Sequence, residues 1–409
     1  MSFSFQIMIL KRIVTNDHPY YQGLTMRWEY RFRLILAYRN LTAILFGNNR
    51  IPKTAWAIQK RQIRLNSGRT FSSFADPKLT RCLNLNLKDR MIDETASLSK
   101  LDSKSRVLVL ASSGPGDEIR WGAAYQVLLS QTQANVTFTC DPRLESIFKR
   151  SFPAVDFIPV NRMHRLWDAS NAVRLKGATQ APALSLYRVF DDTLWLKKNS
   201  FDKFLLVSGI LDEVFEFGIA QKKQTTYLRA DPKLKSKWQT RLSKHIDLSD
   251  FKLVGLSWRS TFLNNTRSAH YLEVDQILPW KEVQNCKFVV LQAKLSSVEK
   301  KWLEQNFQDK VLFVEELDSF NDFENLSALL SALDVVVSPT TYLIELAGAL
   351  GVKSIMLSLS RENFYRRDPN SKKDYWFSSI KHAEADEITD KTDLVRVVAN
   401  QLQQIGSAT

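Results

Sequence analysis

Two groups of residues in this chain have the types and spacing to do chemistry. One is Ser113-Gly114-Pro115-Gly116-Asp117-Glu118, set between an apolar run and a helical stretch. Gly114 and Gly116 let a chain turn tightly and let its backbone approach a ligand closely. Asp117 and Glu118 fall in the first helical turn at the carboxyl edge of a strand, where one carboxylate can act as general base on an acceptor hydroxyl. The same carboxylates also suit the positive end of a helix on electrostatic grounds alone. The pattern is not the dinucleotide-binding G-x-G-x-x-G, because Ile119 holds the third glycine position. Two acidic side chains discourage a phosphate here. Gly114, Gly116 and Glu118 are therefore assigned to an acceptor side, with Asp117 as the candidate base.

The other group is spread over the second half. Ser257-Trp258-Arg259-Ser260 follows an apolar run, and Arg267 follows the polar loop LNNT. A guanidinium makes paired hydrogen bonds to phosphate oxygens, so both arginines can neutralise a diphosphate. In DVVVSPTTYLIELAGALGVKSIML, Thr340 and Thr341 flank a helix start, where free N–H groups and the dipole suit a phosphate. Gln292 and Lys294 end another run and can hold a base or ribose. A strand-end glutamine that caps a turn and arginines in surface pairs are the structural alternatives.

These residues need elements to place them. Residues 106–111, 135–139 and 155–158 read as strands alternating with helices at 118–129 and 143–150, and residues 204–208 return to the sheet. A second series has strands at 253–257, 288–291, 311–314, 334–337 and 354–357. Its helices fall at 274–283, 297–307, 325–333 and 340–350, with Gly351 placed to end the last, and residues 390–405 form a terminal helix. This order implies two consecutive parallel sheets sharing a cleft, an α/β class. Residues 26–37, 41–46 and 51–65 read as amphipathic helix without a repeat. The domains are 1–104, a helical basic extension; 105–245, an acceptor domain; and 246–409, a donor domain.

At 409 residues, 44% hydrophobic and 24% charged, the composition is that of a soluble globular protein. No run approaches the roughly 18 apolar residues of a membrane span, and residues 1–14 do not read as a secretory signal. Cys82, Cys140 and Cys286 are dispersed and odd in number, which fits a reducing cytosol rather than a disulfide framework. The five histidines show no paired-ligand spacing, so no metal site is expected. Of the net charge of +14, residues 1–100 carry +11, from 17 basic and 6 acidic side chains. An anionic membrane face, an acidic partner or nucleic acid fits that excess, as does a solvated helical face.

In order along the chain, RVLVLASSGPGDEIRW, CDPRLESIFKRSFPAVDFIPV, TYLRADP, VGLSWRS, FVVLQ and VVVSPTTYLIELAGALGV resemble bacterial glycosyltransferases of the tetratricopeptide-repeat type. Those are similar to heptosyltransferases and have the GT-B fold. The resemblance covers residues 105–377, and DYWF near its end is similar to the family's Trp-Tyr signature. It implies a nucleotide-sugar donor held by the second domain and an acceptor facing the first. By it Asp117 matches the family's base position, Arg259 the basic residue after the first donor-domain strand, and Thr340 and Thr341 the phosphate-binding turn. Glu345, placed with the donor set, stands where heptosyltransferases carry a histidine, which speaks against a heptose donor. The expectation is a cytoplasmic, metal-independent transferase without cofactor, acting on a glycan or protein hydroxyl, peripheral at the inner membrane face and binding no nucleic acid. A nucleotide-sugar 2-epimerase and a non-catalytic glycan-binding module are the rivals.

Overall fold

The computed structural model describes residues 77–162, 175, 178, 183–211, 226–244, 250–261, 271–357, 374–383 and 391–407. The expected helices at 26–37, 41–46 and 51–65, Arg267, and His18, His164, His245 and His270 lie outside the described residues. Two all-parallel sheets are present, as the α/β reading requires.

The first sheet comprises β1 (Met91–Ile92), β2 (Arg106–Leu110), β3 (Asn135–Cys140), β4 (Asp156–Pro159) and β5 (Lys203–Leu206), in the order β1-β5-β2-β3-β4. In β2 every residue after Arg106 is buried, the mark of a strand covered on both faces. Val107 and Val109 pack on one side with Trp121, Tyr125, Phe138 and Phe148. Leu108 and Leu110 pack on the other with Leu83, Phe190, Trp195 and Phe204. The period-2 alternation of a strand thus sorts one apolar run between two cores. β1 pairs Met91 with Phe204, so the sheet draws on residues ahead of Ser105, as does the Pro77–Leu87 helix that packs beneath it.

The second sheet comprises β6 (Lys252–Leu256), β7 (Cys286–Val290), β8 (Val311–Phe313), β9 (Val335–Pro339), β10 (Ser354–Leu357) and β11 (Ile380–Ala383), in the order β11-β10-β9-β6-β7-β8. That is the doubly wound order of dinucleotide-binding sheets, with β6 central and the chain reversing direction across the sheet at β9. One face packs Val254, Leu256, Val335 and Val337 against the Ser297–Phe307 and Lys391–Gly406 helices. The other face joins the core of the first lobe: Ile119 and Trp121 belong to the same buried cluster as Leu343, Ile344 and Leu346.

Several expected elements differ in detail. The stretch 118–129 is two helices, Pro115–Gly122 and Tyr125–Ser130, and residues 274–282 form a 3-10 helix with Pro279 inside, where the missing N–H disfavours an α-helix. β9 runs on to Pro339, and the helix expected from residue 340 starts at Tyr342; Thr341, in extended conformation, caps Tyr342–Ala349 through a 3.3 Å bond from the Leu343 N–H. Gly351 ends that helix at φ +77°, with its N–H on the Gly348 carbonyl.

Candidate active site

Open parallel sheets bind ligands beyond the strands' carboxyl ends, where neighbouring strands send their connections to opposite sides. In the first sheet that point lies between β2 and β5, in the second between β6 and β9. Beyond β2 and β5, the Ser112 and Ser208 hydroxyls sit 3.3 Å apart. The chain leaving β2 enters the Gly114 to Asp117 turn. The chains leaving β6 and β9 supply Ser257 to Ser260 and the Thr340–Thr341 pair, and the Ser257 N–H still bonds the Val337 carbonyl at 2.9 Å. Both motifs chosen from the sequence occupy switch points.

The glycines behave differently from one another. Gly114 is extended at φ −85°, and a Cβ there would meet nothing within 4 Å. The left-handed residue of the turn is instead Ser113, at φ +76°, a costly conformation for a side-chain-bearing residue. At Gly116 a Cβ would lie 3.1 Å from the Cα and 3.3 Å from the N of Tyr342. The close approach expected toward a ligand is made toward the other lobe's helix. Two helix N-termini therefore abut, and Asp117 and Glu345 in their first turns offset the like-signed dipole ends.

Asp117 is one-third exposed, at 34%, and accepts a 2.7 Å hydrogen bond from Nη2 of Arg120. Arg120 is 5% exposed, and its Nε lies 3.3 Å from Oε1 of Glu345, which is 1% exposed. One buried guanidinium thus stands between two carboxylates from different lobes. Glu345 is a buried partner of Arg120 in the described structure, not an exposed donor contact. Glu118 departs further from its acceptor-side assignment. It is fully buried, accepts the Asp141 N–H at 2.8 Å and pairs with buried Arg162, so it braces the interior of the first lobe.

On the second lobe Arg259 donates from Nε and Nη2 to the two oxygens of Glu299, at 2.8 and 2.6 Å, and from Nη2 to the Lys294 carbonyl at 3.3 Å. Burial alone raises the Glu299 carboxyl, but the bonds from Arg259 and Ser296 together hold it at about 2. Oε1 of Gln292 accepts from the Ser257 hydroxyl, the Trp258 N–H and the Arg259 N–H, at 3.2, 3.1 and 3.0 Å. It clamps the loop after β6 in place of reaching for a base or ribose. Lys294 is exposed, left-handed at φ +53°, with its ammonium 5.5 Å from the Phe320 ring centroid. Thr340 Oγ1 bonds Met356 Sδ at 3.5 Å.

Sequence reasoning missed Arg120 and Glu299, although both left a local signal. Arg120 is three residues after Asp117 on a helix, and Ser296-x-x-Glu299 is a capping box. The DYWF segment proves structural: Asp374 accepts the Trp376 and Phe377 N–H groups and pairs with His382 at 3.0 Å, while Phe377 packs so closely under Gly348 that a Cβ there would meet it at 2.6 Å. Among the described residues no group of His, Cys, Asp or Glu is placed to hold a metal ion, and no helix is long and apolar enough to cross a membrane.

No protein-family model matches the chain. Protein FlbA of Caulobacter vibrioides is 23% identical over 256 residues, which are 62% of this chain and 39% of that protein. The chain thus spans about two fifths of the length of the curated relative it matches. Among solved structures, a family 9 glycosyl transferase from Veillonella parvula superposes with a TM-score of 0.49 at 13% identity, covering 75% of this chain and 99% of that one. ADP-heptose LPS heptosyltransferase II of E. coli gives 0.43 at 12% identity, covering 74% and 100%. E. coli heptosyltransferase WaaC with ADP gives 0.43 at 14% identity, covering 73% and 98%. Likenesses of this extent carry no inference about activity, and the α/β class rests on the chain's own two sheets.

Proposed function

We propose that the chain is a heptosyltransferase-like glycosyltransferase of the GT-B kind, moving a sugar from a nucleotide-diphosphate donor to a glycan or protein hydroxyl. One observation carries the reading: the turn bearing Asp117 and the turn bearing Thr340 and Thr341 each occupy a sheet's switch point, and their helices meet there. In this reading Asp117 takes the acceptor hydroxyl proton as its oxygen attacks the anomeric carbon. The bond from that carbon to the diphosphate oxygen breaks, and the nucleoside diphosphate leaves. Its charge is met by the start of the Tyr342–Ala349 helix and by Lys294, with no metal called on. Arg259 contributes only as far as Glu299 releases it, and Arg267 joins on sequence grounds alone. With this reading goes a cytoplasmic protein whose residues 1–100 touch an anionic membrane face, as their excess of basic side chains suggests.

A second reading, a binding module without turnover, is favoured by the compensated charges: Glu299 engages Arg259 and Glu345 engages Arg120. Incubating the protein with a panel of nucleotide sugars, with and without glycan and protein acceptors, separates the two. Transfer that falls about 100-fold or more in Asp117→Asn supports the transferase. Donor binding with no release of nucleoside diphosphate under any condition supports the module.

A further inference from the structure

Glu345 carries a burial and a partner that the transferase reading does not use. It sits in the second lobe's helix, facing Arg120 of the first lobe across the Gly116–Tyr342 contact. Arg120 in turn holds the partly exposed carboxylate of Asp117. The surroundings of this chain of charges are tightly fitted. The Tyr227 hydroxyl bonds the Ile119 carbonyl and fills the space a Cβ on Gly122 would need. The Tyr227 and Leu228 N–H groups both bond the Ala349 carbonyl at 3.0 Å, tying the far end of the second-lobe helix to the same seam. Glu118, the other acid of the first turn, is engaged by Arg162 and the Asp141 N–H. Tyr342 points its hydroxyl to the Ser319 carbonyl at 2.8 Å.

We infer that Glu345 is a positioning residue: through Arg120 it fixes the Asp117 carboxylate to the donor-side helix, so that the base and the donor turn move as one body across the lobe boundary. This rests on the reading of Asp117 as the base. A guanidinium suits the role because its planar fork fixes direction as well as charge. Reaction rates depend steeply on such placement, since a displacement of about 1 Å can cost about 100-fold.

The test is single-turnover transfer by the whole chain, using whichever nucleotide sugar the wild type consumes, in Glu345→Gln, Asp117→Asn and the double variant. Glu345→Gln is isosteric, and its melting curve and donor KM are recorded alongside. The expected result is a rate about 10-fold or more below wild type with donor KM within about twofold, and a double variant no slower than Asp117→Asn alone. Arg120→Lys, which keeps the charge and gives up the fork, should fall between wild type and Glu345→Gln, and it replaces Glu345→Gln in the cycle if that variant does not fold. Losses that multiply in the double variant, or a raised KM with an unchanged rate, overturn the positioning role and leave the transferase reading standing. A wild type that transfers from no nucleotide sugar overturns both.

Discussion

Arg259 and Glu299 form a two-pronged ion pair, with hydrogen bonds of 2.8 and 2.6 Å, between the loop that follows β6 and the first turn of the Ser297–Phe307 helix. The folded carboxyl lies at about 2, against about 4.3 for an unfolded glutamate. A carboxyl depressed on folding stabilises fully above its unfolded value, and the contribution is lost as pH falls toward the folded value. Glu299→Gln should therefore lower stability by about 1–2 kcal/mol at pH 7, allowing for partial solvent screening. The gap from wild type should shrink steadily between about pH 4.3 and pH 2. Urea denaturation of both proteins at pH 7, 4 and 3 reads it; a gap independent of pH would mean that the pair is held by packing rather than charge.

The two glycines of the first turn should respond unequally. Gly116→Ala drives a methyl against the Tyr342 backbone, 3.1 Å from its Cα, where no flexible side-chain end can yield. The expected cost is about 1–3 kcal/mol less any helix-propensity gain, and Gly116→Val should cost more. Gly114→Ser places a good cap where φ is −85° and nothing lies within 4 Å, so its stability should stay within about 0.5 kcal/mol of wild type. Thermal melts of the three variants decide this, and an unaffected Gly116→Val would show that the lobes do not meet at this point.

Gln292 is a brace by its contacts. Replacing it with alanine strands the Trp258 and Arg259 N–H groups at once, while the Ser257 hydroxyl keeps the Arg259 carbonyl at 3.4 Å. Gln292→Ala should therefore destabilise the protein by about 2–4 kcal/mol. A nucleotide-contact role predicts the reverse pattern, weakened binding in a protein of normal stability. Denaturation and calorimetry with a nucleoside diphosphate, run on the same preparation, tell the two apart.

Much of the scaffold was legible because buried parallel strands are written as unbroken apolar runs. Val107 to Leu110 and Val335 to Val337 have no polar residue to mislead. β1, only Met91 and Ile92, is too short to show a period, and β11 carries Lys381 and His382 in its middle, the second of them buried against Asp374. The site was legible as positions and not as partnerships. Strand ends and helix starts follow from local pattern, which is why Asp117, Arg259 and Thr341 fall at the switch points. Asp117 meets Arg120 only three residues on, but the partners that tie these positions into the fold come from distant segments: Glu299 is 40 residues beyond Arg259, and Glu345 lies in the opposite lobe from Arg120. Local spacing cannot record a contact that folding alone creates.

The last prediction concerns residues 1–100, whose 17 basic and 6 acidic side chains hold most of the chain's positive excess. Interleaved arginines and aromatic or leucine residues, as in MRWEYRFRL, suit the boundary between anionic headgroups and acyl chains. Each basic residue near such a surface contributes about 1 kcal/mol, so a few suffice for reversible attachment. The attachment should weaken as salt is added, because the charges act through solvent over a Debye length of about 10 Å at 0.1 M. Co-sedimentation of the whole chain with phosphatidylserine-containing vesicles should rise at low salt, fall at high salt and vanish with neutral phosphatidylcholine vesicles. Charge-neutralising Arg27, Arg31, Arg33 and Arg39 to glutamine should reduce it at least tenfold, since losing four such contacts far exceeds the 1.4 kcal/mol that a factor of ten requires. Equal sedimentation with neutral and anionic vesicles, or none with either at low salt, would leave these arginines as solvated charge.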